Sequence, residues 1–254
     1  MAIEREHDES GALSLPGEGP LIVLPDAAVT ASPRLARTIA GPALVPWLAL
    51  WLAREGLSVL VHGPGASHGG GGAAEVLHSL GICPASDAGH VTDRWARREP
   101  AVVATSALAA GRLPAGVQWQ LMAPQGLRPC LRVLPCNAPG SARSAADWAA
   151  RSGAAVLLLV GAPITDPHHG PQAEVWIGGQ FRADLAAPAP DESPAGWTPL
   201  PHDTGAAATA LFVQELLSGV RPTPQPLRRL AGLVERTAWA TVTPSDAHAP
   251  VSCL

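Results

Sequence analysis

The chain has 254 residues, 47% hydrophobic and 15% charged, with a formal net charge of −4. That is enough to bury a sizeable core in one or two domains, and it excludes an intrinsically disordered chain. All 17 basic residues are arginine and there is no tyrosine, which excludes a P-loop lysine, a lysine Schiff base and tyrosine acid–base chemistry. The 26 glycines follow no triplet period, so the chain is not collagen-like. Glu4, Glu6, Asp8, Glu9 and Glu18 face only Arg5 in the first twenty residues; a signal peptide would start basic and run into an apolar stretch. The longest apolar runs, 43–53 and 154–160, are too short to span a bilayer. Cys83, Cys130, Cys136 and Cys253 lack CxxC spacing. Reduced thiols, no structural zinc and a cytoplasmic location are therefore expected.

Residues 1–20 read as a disordered acidic tail. A short buried strand follows at 21–24 (LIVL), stopped by Pro25. Residues 42–55 carry apolar positions at helical spacing, with Pro42 and Pro46 in or before the first turn and Gly56 as the stop. A second strand at 57–61 leads into HGPGASHGGGG (62–72), a helix at 73–80 and a stop at Gly81. Strand, glycine loop and helix in that order open a βαβ unit. A third strand is expected at 101–105. Residues 111–139 resist assignment, because prolines at 114, 124, 129, 135 and 139 break any long helix. A capped helix is expected at 141–152. AAVLLLV (154–160) reads as a strand buried on both faces of a parallel sheet. A hairpin around Gly178-Gly179 joins 174–178 to 180–185. Residues 186–203 form a Pro-rich loop, and two amphipathic helices close the domain at 204–218 and 226–240. From 241 a polar tail is expected to be disordered. The domain thus spans 21–240 and its class is α/β.

Charge is unevenly spread. Between residues 94 and 151 eight arginines (94, 97, 98, 112, 128, 132, 143, 151) stand against Glu99 and Asp147, a balance of +6. Such clustering is either a solvated face or an anion-binding patch. Arginine suits phosphate because its planar fork donates two hydrogen bonds at once. Trp148, inside this stretch, is a candidate for base stacking. Trp47 and Trp51, four apart on one helix, read as core or interface.

The glycine loop allows close backbone approach to an anion. It departs from both common phosphate motifs: His68 stands where GxGxxG needs glycine, and GxxxxGK[ST] needs a lysine. The same loop holds a formal GxSxG at Gly65–Gly69, with Asp166 and His169 or His202 later in the chain. Only one strand precedes its own, too little sheet for a serine-hydrolase elbow. His168-His169 and Asp191-Glu192 lie in turn-like and Pro-rich stretches, where solvated loops are the default.

PALVPWLALWLAREGLSVLVHG, the Gly-rich loop and AAEVLHSLGI resemble anthranilate phosphoribosyltransferase and its relatives in glycosyltransferase family 3. Within that family they resemble the YbiB-type branch of DNA-binding paralogues. The order continues through ALAAGRLPAGVQWQLMAPQGLRPCLRVLPCNAP, AAVLLLVGAPITDPHHGPQAEVWIGGQ and ATALFVQELLSGVRPTPQPLRRLAGLV, so the likeness covers roughly residues 21 to 234. It implies a nucleoside phosphorylase/phosphoribosyltransferase-type, parallel-rich sheet flanked by helices. A reduced, N-terminally shortened helical lobe is part of that expectation.

The departures carry the functional expectation. Leu24-Pro25-Asp26-Ala27 stands in place of the family's GTGGDG-type loop, and its KHGN-type motif reads Val61-His62-Gly63-Pro64. Its magnesium-binding Asp-Glu has no counterpart near 162–166. The resemblance therefore implies a catalytically degenerate protein that binds nucleic acid weakly, salt-dependently and without sequence specificity. The residues expected to do so are Arg94, Arg97, Arg98, Arg128, Arg132 and Arg143, with no metal and no cofactor. The alternative is a phosphoribosyl or glycosyl transferase with His62, Gly63, Ser67, Gly69, Gly70, Gly71 and Gly72 around the diphosphate, for which Mg²⁺ would be required. A third reading is a non-catalytic structural protein that homodimerises through its helices.

Overall fold

The fold, seen in a computed structural model, is described at residues 13, 15, 19–26, 44–63, 72–108, 123–124, 129–136, 139–160, 172–185, 205–223 and 225–242. The two tails therefore lie almost wholly outside the described residues. So do the Pro-rich loop at 186–203 and most of 111–139.

The elements are β1 (Leu21–Pro25), α1 (Leu44–Arg54), β2 (Ser58–Gly63), α2 (Ala73–Ser79), α3 (Ala88–Ala96), β3 (Ala101–Ala104), β4 (Cys130–Cys136), α4 (Pro139–Ser152), β5 (Ala155–Val160), β6 (Gln172–Ile177), β7 (Gln180–Phe181), α5 (Ala206–Ser218) and α6 (Gln225–Ala240). They build one seven-stranded sheet in the order β3-β2-β1-β4-β5-β6-β7. The first five strands in that order are parallel, β6 pairs antiparallel with β5, and β7 pairs antiparallel with β6. The mixed α/β class and the parallel-rich sheet flanked by helices agree with the sequence reading.

Alternation along the strands assigns the two faces. Ile22, Leu24, Val59, Val61, Leu131, Val133, Leu157 and Leu159 share one core with α1, α2, α5 and α6. Leu21, Val23 and Leu60 pack with Val91 of α3, and Leu134, Val156 and Leu158 pack with α4. Covering both faces explains why β1 and β5 read as unbroken apolar runs rather than alternating ones. Each fully buried Leu or Val contributes about 1.5–3 kcal/mol. Trp47 is fully buried, its ring centroid 5.2 Å from that of Trp51.

Three local outcomes differ from the sequence reading. Pro25 ends β1 from inside the strand, paired with His62; an end position needs no further donor. Residues 88–96 form α3, which short length and low hydrophobicity concealed; the Asp87 side chain caps it by accepting from His90 N at 2.9 Å. Residues 130–136 form β4, despite Pro135. The β1 ladder covers only Cys130–Arg132, so Pro135 needs no donor on that side. Gly56, Gly81, Gly153 and Gly219 end their helices with positive φ, as the sequence suggested for each.

The chain moves outward from β1 to β2 and β3, then returns to place β4 on the other side of β1. Such a reversal is a topological switch point at the carboxyl ends of β1 and β4, the place where open α/β sheets generally hold ligands.

Candidate functional site

Asp26 follows β1 directly and points toward α2. It is 7% exposed, and its Oδ1 accepts from Ala73 N at 2.6 Å. Its own amide donates to the His62 carbonyl. Burial, the dominant influence, pushes its carboxyl above the usual range; hydrogen bonds from the Ala73 and Ala74 amides oppose this, and Glu75 adds to it. A Cβ placed on Gly63 would lie 2.6 Å from Asp26 Cβ, and one on Gly72 would lie 2.9 Å from Asp26 Oδ1. Sequence reasoning noted Asp26 only as a departure from a family loop. The available signal was an acid closing an otherwise apolar strand.

His62 points to the opposite face and is fully buried. Its Nδ1 lies 3.2 Å from Thr105 Oγ1, which joins the ends of β2 and β3. Burial first, and then the Arg132 charge, hold the imidazole down to about 4. His62 is therefore neutral at pH 7 and adds no positive charge for a phosphate. Of the other residues expected around a diphosphate, Gly63 ends β2 and Gly72 precedes α2. Ser67, Gly69, Gly70 and Gly71 lie outside the described residues, as do His68, Asp166, His168, His169, Asp191, Glu192 and His202.

The arginines fall largely on the α3/α4 face. Arg94 is committed inside the protein: it pairs with Glu99 at 2.7 Å and donates to the Cys83 carbonyl at 3.4 Å. Arg97, exposed, lies 3.5 Å from the same Glu99. Arg98 is exposed and has φ +58. It closes α3 as the left-handed residue of a Schellman turn, with Arg98 N bonded to Trp95 O at 2.9 Å and Glu99 N to Arg94 O at 3.0 Å. Glycine is the usual occupant of that position. Arg132 is half-buried on β4, its guanidinium 5.4 Å from the Trp148 ring centroid. Arg143 and Arg151 project from the exposed side of α4. Arg112 and Arg128 lie outside the described residues. Exposed Arg228, Arg229 and Arg236 on α6, which sequence reasoning passed over, belong to the opposite layer. Among the described residues no three His, Cys, Asp or Glu side chains gather as a metal site. No helix among them is long and apolar enough to cross a membrane.

No protein-family profile matches the chain, and no curated protein sequence matches it. Among solved structures it is similar to anthranilate phosphoribosyltransferase (TrpD) from Thermus thermophilus. The TM-score is 0.54 at 18% identity, over 90% of this chain and 76% of that one. At that identity the likeness shows the fold: the chain has a phosphoribosyltransferase-like architecture.

Proposed function

We propose that the protein uses this phosphoribosyltransferase-like scaffold for sequence-independent nucleic-acid binding rather than for catalysis, in the manner of the YbiB-type paralogues. The observation that carries the reading is Arg98. An exposed arginine occupies a left-handed backbone position that glycine would hold at about 1 kcal/mol less strain, and its side chain makes no ion pair among the described residues. A strained cation with no ion pair among the described residues fits a role toward an external anion. Arg143 and Arg151 stand on the same side of the sheet, and Arg132 of β4 holds its guanidinium 5.4 Å from the ring centroid of Trp148 on α4, a cation–aromatic pair. In this reading Arg94, paired with Glu99 at 2.7 Å, serves the structure rather than the ligand.

The test is fluorescence anisotropy of a labelled single-stranded oligonucleotide titrated from low to physiological salt. The expected result is an affinity whose logarithm falls with log salt by roughly 0.7 per phosphate contacted. Arg143→Ala should weaken it, whereas Arg94→Ala and Arg228→Ala should not. Absence of binding at low salt overturns the reading.

A further inference from the structure

We infer that the ligand of the arginine face is an unpaired nucleic-acid strand, and that Phe181 of β7 is a platform on which one of its bases stacks. The inference rests on the nucleic-acid reading and adds to it the class of strand and a residue that selects it. Phe181 is 49% exposed, with its ring centroid 5.6 Å from that of Trp176 and the two planes tilted by 54°. The ring is thus steadied by a neighbouring aromatic while about half of the residue stays open to solvent. The strand register shows where it stands. Arg132, Val156, Trp176 and Phe181 pair in turn across β4, β5, β6 and β7, so the four share one face of the sheet. Three inter-strand spacings of about 4.8 Å set Phe181 about 14 Å from Arg132. Between them Ala145, Ala146 and Ala149 of α4 pack in one core with Val156. One edge of α4 therefore carries Arg132 with Trp148, and the other carries Phe181 with Trp176. The β6–β7 hairpin is seated on the last turn of α4, where a Cβ on Gly179 would lie 2.7 Å from the Ala150 carbonyl oxygen. Exposed Arg151 is the next residue of that turn. Arg182, beside Phe181, is held by Asp184 through bonds of 2.8 and 2.6 Å, which leaves Arg151 as the cation for a phosphate. A base offers its face to a protein ring only where it is free of a duplex stack, and every base has such a face. A phosphate-binding cation beside an open ring therefore suits a single strand of any sequence.

The experiment is anisotropy with one labelled oligonucleotide, presented single-stranded and as its blunt duplex, over a range of salt. Phe181→Ala should weaken single-strand binding roughly 5–150-fold, the loss of one base–aromatic stack. It should leave duplex binding within about twofold and the salt slope unchanged, because a lost stack releases no counterion. Phe181→Trp, which keeps an aromatic face, should bind the single strand at least as well as the wild type. Arg151→Ala should weaken both ligands and lower the single-strand slope by roughly 0.7. If Phe181→Ala does not fold, as its melting curve would show, Phe181→Leu keeps an apolar side chain without a ring and should show the same selective loss. Single-strand affinity unchanged by loss of the ring, or equal losses toward single strand and duplex, would overturn this inference and leave the nucleic-acid reading standing. Wild-type protein that binds neither ligand at low salt would overturn both.

Discussion

The carboxylate of Asp26 and the amide of Ala73 are 47 residues apart in sequence and 2.6 Å apart in space. One bond thus ties the end of the central strand β1 to the first residue of α2. It is made at the cost of burying a carboxylate, and burial is the larger influence on its ionisation. The folded protein holds this proton more tightly than the unfolded chain, whose carboxyl stays near 3.8. Ionised Asp26 therefore opposes folding: its unfavourable contribution grows as pH rises from 3.8 through the raised folded value, and is constant above it.

Asp26→Asn should consequently be at least as stable as the wild type at pH 7, since the amide oxygen still accepts from Ala73 N and no charge is buried. Its advantage should vanish as pH falls toward 3.8. Urea unfolding of both proteins across about pH 3.5–7 reads this directly. A variant that is less stable by the same amount at every pH would show that the charge itself contributes favourably.

His62 acts in the opposite direction. Burial holds it at about 4, against 6.5 when unfolded, so protons bind the unfolded chain preferentially between those values. Stability should fall as pH drops from 6.5 to about 4, by up to roughly 3 kcal/mol, and level off below. His62→Gln, which keeps a polar partner for Thr105, should lose that dependence while being less stable at pH 7. Equal pH slopes for the two proteins would assign the acid sensitivity elsewhere.

Much of this fold was legible because its strands are buried on both faces. LIVL, LSVLV and AAVLLLV announce themselves as unbroken apolar runs, and Gly56, Gly81 and Gly219 mark the helix ends. What escaped was set by neighbours rather than by local pattern. Pro135 sits in a strand because β1 stops pairing before reaching it. Helix α3 has few apolar residues because a single fully buried Val91, with Trp95 bonded to Val59 O at 2.9 Å, anchors it. The Asp26 cradle was invisible for the same reason. Gly63 and Gly72 read in sequence as part of a glycine loop; the residue that crowds both, Asp26, comes from the end of another strand.

Arg98 separates stability from the proposed nucleic-acid binding. Arg98→Gly removes the left-handed strain and should raise stability by about 1 kcal/mol. The same substitution should weaken oligonucleotide binding and lower the salt slope by roughly 0.7. Thermal melts and anisotropy on one preparation decide the matter. A variant that is more stable and binds equally well would mark Arg98 as incidental to nucleic-acid binding.

The hairpin between β6 and β7 offers a purely steric contrast. Gly178 and Gly179 both have positive φ, +60 and +79. A Cβ on Gly178 would meet nothing within 4 Å, whereas one on Gly179 would lie 2.7 Å from the Ala150 carbonyl oxygen of α4. That oxygen is helical backbone and cannot swing aside as a side-chain end would. Gly178→Ala should cost only the conformational strain, about 1 kcal/mol, and Gly178→Asn less, since asparagine tolerates this region. Gly179→Ala should cost roughly 2–4 kcal/mol, because the hairpin must also lift off the helix. Since Trp148 lies on that helix, two residues before Ala150, Gly179→Ala should also weaken oligonucleotide binding, and Gly178→Ala should not. Equal costs for the two alanine variants would mean that the hairpin is not seated on α4 in solution.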